Sequence, residues 1–392
     1  MSEFSVKIHK IVIEEHPNAD AIELAIVGGY RSIVRKGDFK TGDLVAYIPE
    51  QAIVPDWLIE KLGLTGKLAG SKHNRVKAIR LRGILSQGLI LKLWGEPLRM
   101  RNRATGEIIV EWSLVFPNAD GVERSQYVEE GEDVTDFLGI KKWEPVIPTN
   151  MTGKVINAVG KTVKYDIENW KNHPDVIREG EPVVFTEKLH GTLCCFGLHI
   201  VDRIVATKNM CAKGQTFVLD EENASNLYVK MYYKVGKHLV DHIAQLTGSN
   251  MVHVFGEIFG RGVQDLHYGQ AEAQFRVFDI ALGRDETHPS EFISYHNMVK
   301  LLENVDKAFM AKAGEPLGVQ TVPKLYEGPF SVEVMEEYTD GKETISGDAS
   351  NVREGIVMRP MMERRDLELG RVNLKSVSGD YLTRKGNVTE FQ

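Results

Sequence analysis

The feature that most limits how this chain can fold is a short stretch with two prolines near residue 145. The segment "KKWEPVIPTNMTGK" contains Pro145 and Pro148. Proline lacks a backbone N–H donor and clashes with a preceding helical turn, so neither a helix nor a central strand can run through this segment. The chain has 392 residues, which is enough for two separate hydrophobic cores. We therefore predict two domains, residues 1–142 and 143–392, joined by this stretch.

The first domain contains short apolar or β-branched runs separated by turn residues. The runs are "AIELAIV", "YRSIVRKG" and "DLVAYIP", followed by two more in "NRVKAIRLRGILSQGLILKL". About five short strands within about 100 residues are typical of a small barrel, and an OB-fold is the leading candidate. We predict an all-β, OB-like barrel for residues 1–142.

The second domain mixes helical and strand patterns. Apolar residues recur at helical spacing in residues 225–248, and residues 290–309 form a second amphipathic pattern with Ser290 as its N-cap. Strand patterns occur at residues 181–188, 193–201, 250–260, 273–282, 353–360 and 371–378. The prediction is an α+β domain whose strands carry the unusual residues.

Composition excludes a strongly basic protein and a disulfide-stabilised one. The formal net charge is −7 at pH 7, so any binding of nucleic acid depends on local basic patches. Three cysteines are too few for a disulfide framework and show no metal-binding spacing, which favours the reducing cytoplasm. No apolar run approaches the roughly 20 residues of a membrane span, and the first residues lack the apolar stretch of a signal peptide. We expect a cytoplasmic protein with no membrane contact.

Lys188 stands two residues before His190 and Gly191, between two predicted strands, in "TEKLHGTLCC". One interpretation is an ordinary solvated loop lysine. The other is a nucleophile, with Gly191 allowing close approach of a phosphate-bearing ligand. Since a free lysine has a pKa of about 10.4, attack at neutral pH requires neighbouring cations or desolvation. The second interpretation therefore predicts another cation, and carboxylates for a metal, on strands that face the same pocket.

Later strands contain residues of these types. Glu257 lies in the apolar pattern "VFGEIFG", where a carboxylate is costly without a partner, metal or ligand. Glu354 directly precedes the run "GIVM". In "RVNLKSVS", alternation places Lys375 on the same face as Arg371 and opposite Leu374. Each residue alone has a structural explanation, as a strand-end carboxylate or a solvated strand face, but their joint occurrence favours a functional site.

The order of these short motifs resembles that of the covalent nucleotidyltransferases, the superfamily of ATP-dependent DNA ligases, RNA ligases and mRNA capping enzymes. Motifs I, III, IIIa, IV and V are matched by Lys188-Leu189-His190-Gly191, Phe255-Gly256-Glu257, Phe278-Asp279, Glu354-Gly355 and Leu374-Lys375. The variant "EKLHGT" has His190 where the superfamily usually has Asp. Together with "LKSVS" and the OB-like first domain, it is most similar to the Deinococcus-type RNA ligases. The resemblance implies an ATP-grasp-like nucleotidyltransferase fold for residues 143–392.

The resemblance further implies an ATP-dependent RNA ligase that uses Mg²⁺ or Mn²⁺. Such enzymes form a lysyl-AMP, pass the AMP to an RNA 5′-phosphate, and seal the RNA-adenylate with a 3′-OH, here in nicked duplexes. Lys188 and Lys375 are the implied catalytic residues, and Glu257 and Glu354 the implied metal-binding residues. The implied nucleotide-binding residues are Glu187, His190, Gly191, Lys208, Glu257, Phe278, Glu354 and Lys375.

Individual roles follow from the same resemblance. Phe278 is expected to stack on adenine, and Glu187 to contact it through its backbone. Lys208 is expected to bind phosphate or the RNA 3′ end, and Lys375 to contact the α-phosphate and lower the pKa of Lys188. Core packing is the alternative for Phe278, and an ordinary strand-end lysine is the alternative for Lys208.

Two other enzyme classes and one non-enzymatic role stay open. DNA ligases and capping enzymes have an OB domain after motif V, whereas seventeen residues follow Lys375 here, which favours an RNA ligase. The alternatives are a DNA ligase, an RNA-capping nucleotidyltransferase and a catalytically inactive RNA-binding scaffold. The sequence indicates no obligate protein partner.

A basic stretch in the first domain is a candidate RNA-binding surface. Residues 70–83, "GSKHNRVKAIRLRG", contain no acidic residue. On a barrel surface they form a positive band suited to phosphate contacts, although a solvated strand has the same pattern. The predicted RNA-binding residues are Lys72, Arg75, Lys77, Arg80 and Arg82.

Overall fold

The computed structural model describes residues 4–93, 98–101, 104–106, 108–117, 123–285, 287–347, 351–385 and 388–389. The chain divides into two structural units, residues 2–144 and 145–392. The division falls at Pro145, within the stretch that carries the two prolines. No helix in the described ranges combines the length and the apolar character needed to cross a lipid bilayer.

Short strands dominate the N-terminal unit, as its alternation of apolar runs and turn residues predicts. Its helices are α1 (Asp56–Lys61) and α2 (Thr135–Leu138). Its strands are β1 (Lys7–Lys10), β2 (Val12–Glu15), β3 (Ile22–Val27), β4 (Tyr30–Arg35), β5 (Leu44–Ile48), β6 (Ala52–Ile53), β7 (Ile79–Leu81), β8 (Ile84–Ser86), β9 (Leu89–Lys92), β10 (Leu98–Arg101), β11 (Ile108–Pro117), β12 (Glu123–Val128) and β13 (Lys141–Lys142).

The strands of this unit pair into open sheets. β5 pairs with β1 on one edge and β9 on the other, while β2, β3 and β4 form a separate antiparallel meander. Two clusters of buried apolar side chains, one with Ile48 and Leu91 and one with Val45 and Tyr47, pack in this unit. The all-β, OB-like class is confirmed, and the sheets that build this unit are open. At Ile11 the chain passes from β1 in the sheet β1-β5-β9 to β2 in the sheet β2-β3-β4. In the described ranges no backbone hydrogen-bond ladder joins these two sheets.

The C-terminal unit contains both helices and strands. Its helices are α3 (Lys208–Lys213), α4 (Leu227–Met231), α5 (Lys237–Thr247), α6 (Tyr295–Ala313), α7 (Val332–Thr339) and α8 (Gly379–Leu382). Its strands are β14 (Val155–Asn157), β15 (Glu168–Asn169), β16 (Pro182–Lys188), β17 (Thr192–His199), β18 (Asp202–Thr207), β19 (Gln215–Phe217), β20 (Met251–Phe259), β21 (Gln274–Gly283), β22 (Glu291–Phe292), β23 (Gln320–Thr321), β24 (Lys324–Pro329), β25 (Gly355–Pro360), β26 (Arg365–Asp366), β27 (Gly370–Arg371) and β28 (Leu374–Val377).

Two sheets form the framework of this unit and confirm its α+β class. One runs in the order β15-β28-β25-β16-β24, and the other in the order β18-β17-β20-β21-β22, with β23 beside β21. The larger apolar cluster joins strand residues such as Val254 to helix residues such as Leu239 and Met298. A second cluster includes Phe185 and Leu374 of the five-stranded sheet. Each of the two sheets therefore packs one face against its own apolar cluster.

Helix α6 begins four residues later than an N-cap at Ser290 predicts. Ser294, not Ser290, is its N-cap, and the Ser294 hydroxyl accepts a hydrogen bond from the backbone N–H of Asn297. Glu291 and Phe292 instead form β22 and pair with β21. The helical periodicity was real, but pairing with the sheet edge takes the first residues of the segment.

Strand register brings the separate motifs together. Lys188 at the end of β16 pairs with Gly355 at the start of β25, and Val357 of β25 pairs with Lys375 of β28. Gly355 has φ +150°, and a Cβ there would overlap the carbonyl oxygen of Ser376. Glycine is thus required at this position because β25 and β28 approach closely beside Glu354.

Acidification is expected to destabilise the protein through His253. Its buried imidazole lies 2.9 Å from the carbonyl oxygen of Lys161, and burial, with a smaller opposing contribution from this hydrogen bond, lowers its pKa to about 4. Below the ordinary pKa the unfolded chain binds a proton that the folded protein does not. Stability is therefore lost as pH falls from about 6.5 to about 4, by on the order of 3 kcal/mol.

This contribution can be isolated by comparing urea denaturation of wild type and His253→Gln across that pH range. The wild type should lose more stability on acidification than the variant, whereas His238→Gln, at an exposed position, should follow the wild type. Parallel curves for wild type and His253→Gln would contradict the prediction.

Candidate active site

A cleft of about 870 Å³ in the C-terminal unit collects residues from both sheets. The predicted site residues that line it are Glu187, Lys188, Gly191, Lys208, Glu257, Phe278 and Lys375. A smaller cavity of about 220 Å³ is lined by Lys188 and Glu257 as well, and also by Glu354 and His190. The structure therefore brings residues from positions 187 to 375 of the chain into one connected site.

The amino group of Lys188 is held by a carboxylate. Its Nζ lies 2.5 Å from Oε1 of Glu354, and both side chains are largely buried. The second carboxylate oxygen of Glu354, Oε2, is buried without a hydrogen-bond donor among the described residues. A buried acceptor without a donor is costly, so this oxygen is suited to take a ligand, a metal ion or a metal-bound water.

Glu257 faces the same site from β20 and is paired with Leu193 of β17. Burial raises its pKa to about 8, and the nearby Glu354 carboxylate adds to the rise, while Lys188, the Gly191 backbone N–H and Lys208 act in the opposite direction. A carboxyl group with this pKa binds a proton or a cation readily near neutral pH.

Two further lysines contribute positive charge to the cleft. Burial lowers the pKa of Lys375 to about 8, with smaller contributions from the charges of Lys188 and Lys208. Nζ of Lys208 lies 2.8 Å from Oδ1 of Asp166. Three ammonium groups that share one cleft repel each other, and a bound polyphosphate would relieve this repulsion.

Phe278 lines the cleft as well, and its ring centroid lies 5.1 Å from that of Tyr165. It also packs against the apolar core, so both expected roles of Phe278 have a structural basis. Glu187 is almost fully buried, and its carboxylate accepts hydrogen bonds from the backbone N–H and the hydroxyl of Thr344. This carboxylate holds the loop around Thr344, and Glu187 is among the residues that line the cleft.

A close backbone contact, which the sequence did not show, requires glycine at position 191. A Cβ at this position would overlap the carbonyl oxygen of Ile258 in β20. The glycine therefore permits contact between neighbouring backbones, in addition to lining the cleft.

Sequence reasoning missed a buried charge cluster behind Phe278. Asp279 is fully buried and receives hydrogen bonds from Arg371, at 2.6 and 3.1 Å, and from Arg359, at 3.3 Å. Arg359 also donates to the carbonyl oxygen of Phe278 at 2.6 Å, and Tyr165 donates to Asp279 at 3.1 Å. An Asp within the apolar run "FRVFDIAL", with an Arg on the cleft-facing side of "RVNLKSVS", was the available signal.

His190 lines the smaller cavity beside Lys188 but not the main cleft, and its role in nucleotide binding stays a prediction. Of residues 186–193, all of which the structure describes, only His190 does not line the main cleft. Its ring is buried and lies 2.8 Å from Oδ1 of Asp265 and 2.8 Å from the hydroxyl of Tyr381. Both ring nitrogens of His190 therefore have partners within the protein.

The predicted basic band in the N-terminal unit is only partly on the surface. Lys72, Arg80 and Arg82 are exposed and Lys77 is half-buried. Arg75 is buried, with its guanidinium 2.9 Å from the side-chain oxygen of Gln51 and stacked over the ring of Trp143 at 3.3 Å. The expectation of a surface position is therefore wrong for Arg75, because planar stacking and hydrogen bonding hold it inside the unit.

No group of three or more His, Cys, Asp or Glu side chains in the described ranges is arranged as a complete metal site. Glu257 and Glu354 nevertheless border the same cavity, and Oε2 of Glu354 has no donor in these ranges. Mg²⁺ commonly binds one or two carboxylates and completes its shell with water and substrate phosphates. The two glutamates fit this kind of incomplete, substrate-dependent site.

Comparison with known proteins agrees with the fold. The model of the RNA ligase family matches residues 181–377, half of the chain, and a model of an OB-fold domain matches residues 5–93. A search of curated proteins found no match.

Solved structures of Naegleria gruberi RNA ligase have a similar fold. An apo form of a mutant aligns with a TM-score of 0.70 and 22% identity over 97% of both chains. A mutant with AMP and Mn aligns with a TM-score of 0.70 and 22% identity, and a mutant with ATP and Mn with 0.69 and 21%; both alignments cover 97% of this chain and 98% of the other.

Fold and comparison together define a protein with an N-terminal OB-fold domain and a C-terminal α+β ligase domain. The chain belongs to the RNA ligase family.

Proposed function

We propose that this protein is an ATP-dependent RNA ligase that joins 3′-OH and 5′-phosphate ends through lysyl-AMP and RNA-adenylate intermediates. The observation that carries the proposal is the position of Lys188, whose amino group is 2.5 Å from Glu354 in a cleft that also contains Lys208 and Lys375. We also propose that the enzyme belongs to the Deinococcus-type subclass and seals nicks in duplexes. Both statements are supported by the motif pattern around His190.

In the first step Lys188 attacks the α-phosphate of ATP. The amine must lose a proton, and Oε1 of Glu354 is placed to accept it. A bond forms between Nζ and phosphorus, the bond from the α-phosphorus to the bridging oxygen breaks, and pyrophosphate leaves. Lys375 and Lys208 line the cleft, and their role in the proposal is to stabilise the phosphate charge during this transfer. Phe278 lines the cleft as well, and its proposed role is to stack on the adenine.

In the later steps the phosphorus–nitrogen bond is exchanged for phosphorus–oxygen bonds. An oxygen of the RNA 5′-phosphate displaces Lys188, which recovers a proton, and the 3′-OH then displaces AMP and loses its proton. Glu257 and Glu354 would hold Mg²⁺, which when bound neutralises phosphate charge. The exposed residues Lys72, Arg80 and Arg82 are the candidate contacts for RNA phosphates.

Labelling with α-³²P nucleotides tests the proposal. Wild type with Mg²⁺ and labelled ATP should retain label on a denaturing gel, and EDTA should prevent this. Adding 5′-phosphate RNA should move the label to RNA, and a nicked RNA duplex should then be sealed.

Each alternative has its own result. Label from GTP instead of ATP would indicate a capping enzyme, and sealing of DNA nicks only would indicate a DNA ligase. A folded wild type that takes no label from either nucleotide would leave an inactive RNA-binding scaffold.

A further inference from the structure

Three groups from outside the Lys188 motif hold His190. Asp265 contacts Nε2 at 2.8 Å, and the hydroxyl of Tyr381 lies 2.8 Å from Nδ1. The backbone N–H of His190 donates to the hydroxyl of Tyr268 at 2.6 Å. Each polar atom of the ring, and the backbone N–H, therefore has a partner within the protein.

Asp265 is itself fixed in place. Its carboxylate accepts hydrogen bonds from Arg384 at 3.2 and 3.3 Å and from the backbone N–H of Thr389 at 2.9 Å. Burial alone would raise the pKa of Asp265, but the hydrogen bonds from His190, Arg384 and Thr389 outweigh it and hold the pKa well below its usual value. The carboxylate is thus charged and anchored to the segment that follows α8.

Residues 264–268, the segment that contains Asp265, make two more contacts with the turn formed by residues 189–191. The side-chain amide of Gln264 donates to the carbonyl oxygen of Gly191. Tyr268 is fully buried and has a positive φ of 52°, a strained conformation for a tyrosine that persists only where the surroundings enforce it. Leu189 packs in one apolar cluster with Tyr268 and Tyr381. All three residues after Lys188 are therefore held by residues 264–268 and by Tyr381.

We propose that Asp265 and Tyr381 are positioning residues for nucleotide transfer, which act through His190 to fix the backbone that presents Lys188. This inference rests on the proposed function. Asp265 lines neither the main cleft nor the smaller cavity, and Tyr381 lines only the smaller cavity, where its hydroxyl lies 2.8 Å from Nδ1 of His190. Their effect on the reaction therefore passes through the turn that they hold. A nucleophile displaced by about 1 Å can react about 100-fold more slowly, and loss of a group that orients an active-site residue commonly costs about 10- to 100-fold.

A double-mutant cycle on the rate of protein adenylylation tests this inference. The variants are Asp265→Asn, His190→Gln and the two combined, with Tyr381→Phe as a second probe of His190 and Asp241→Asn as the control. Asp241 pairs with Arg203 at a partly buried position outside the site. Labelling by α-³²P ATP is followed over time at several ATP concentrations, at a temperature where melting curves show each variant folded.

Asp265→Asn and Tyr381→Phe should lower the maximal rate about 10- to 100-fold and leave the half-saturating ATP concentration within about threefold of wild type. The combined variant should be no slower than His190→Gln alone, because Asp265 acts only through His190. Asp241→Asn should match the wild type. If Asp265→Asn does not fold, the same cycle is made with Tyr381→Phe and His190→Gln.

Multiplicative losses in the combined variant, or single variants as fast as the wild type, would overturn the positioning role. So would a raised half-saturating ATP concentration with an unchanged maximal rate. A wild type that forms no adduct would overturn the proposed function and this inference together, so the two failures are distinguishable.

Discussion

Lys188→Ala is expected to take no label from α-³²P ATP and to seal no RNA ends that carry a 5′-phosphate. The amino group of Lys188 is the nucleophile in the proposed reaction. Its Nζ lies 2.5 Å from Oε1 of Glu354, the group that accepts its proton in the proposal. Lys188→Arg is expected to be equally inactive, because a guanidinium keeps its proton and its charge. The comparison therefore separates a nucleophile from a mere positive charge. Both variants are measured by denaturing gel and by ligation of labelled RNA.

Two controls make this prediction specific. Lys213→Ala, at an exposed position at the end of α3, should label like the wild type. RNA supplied with a 5′-adenylate bypasses the first step, so Lys188→Ala should seal it measurably. Label that persists in a folded Lys188→Ala would disprove the assignment and point to Lys375, whose pKa burial lowers to about 8.

Asp279→Asn is expected to destabilise the C-terminal unit by about 3–5 kcal/mol, because it leaves buried positive charge without a counter-charge. Asp279 is fully buried, Arg359 is almost so, and Arg371 is 15% exposed at its side chain. Arg371 also pairs with Glu363 at 2.7 Å, which leaves Arg359 as the more affected arginine. Urea denaturation followed by tryptophan fluorescence measures the effect.

The same variant should raise the ATP concentration needed for half-maximal labelling, since Arg359 holds the backbone of Phe278. Asp202→Asn is the matched control, because Asp202 pairs with Lys161 at a half-exposed position. This substitution should cost no more than about 1 kcal/mol. A double variant, Asp279→Asn with Arg359→Met, should recover part of the loss. An Asp279→Asn protein as stable as the wild type would show that the arginines find other partners.

Strand patterns were the most informative part of the sequence. The run that contains Glu257 lies within one residue of β20 at each end, and the run that contains Lys375 begins three residues before β28 and ends one residue after it. The agreement follows because a strand buried on one face alternates, and a strand buried on both faces is continuously apolar. Helix α5 ends at Thr247, one residue before the end of the predicted helical pattern, and Gly248 follows it in the left-handed conformation. The first turn of α6 was misplaced because pairing of β22 with β21 overrides a weak local preference.

The sequence by itself predicted two domains, the α+β class of the second, and the residue types of the candidate site. These depend on local properties: proline chemistry, apolar periodicity, and the cost of charge in an apolar strand. Only the tertiary structure decided which partner each charge has. His190 pairs with Asp265, 75 residues later, Arg75 turns inward to Gln51, and Asp279 joins two arginines from β25 and β27. Such pairings depend on strand register and on turns that bring distant residues together, and no local pattern records them.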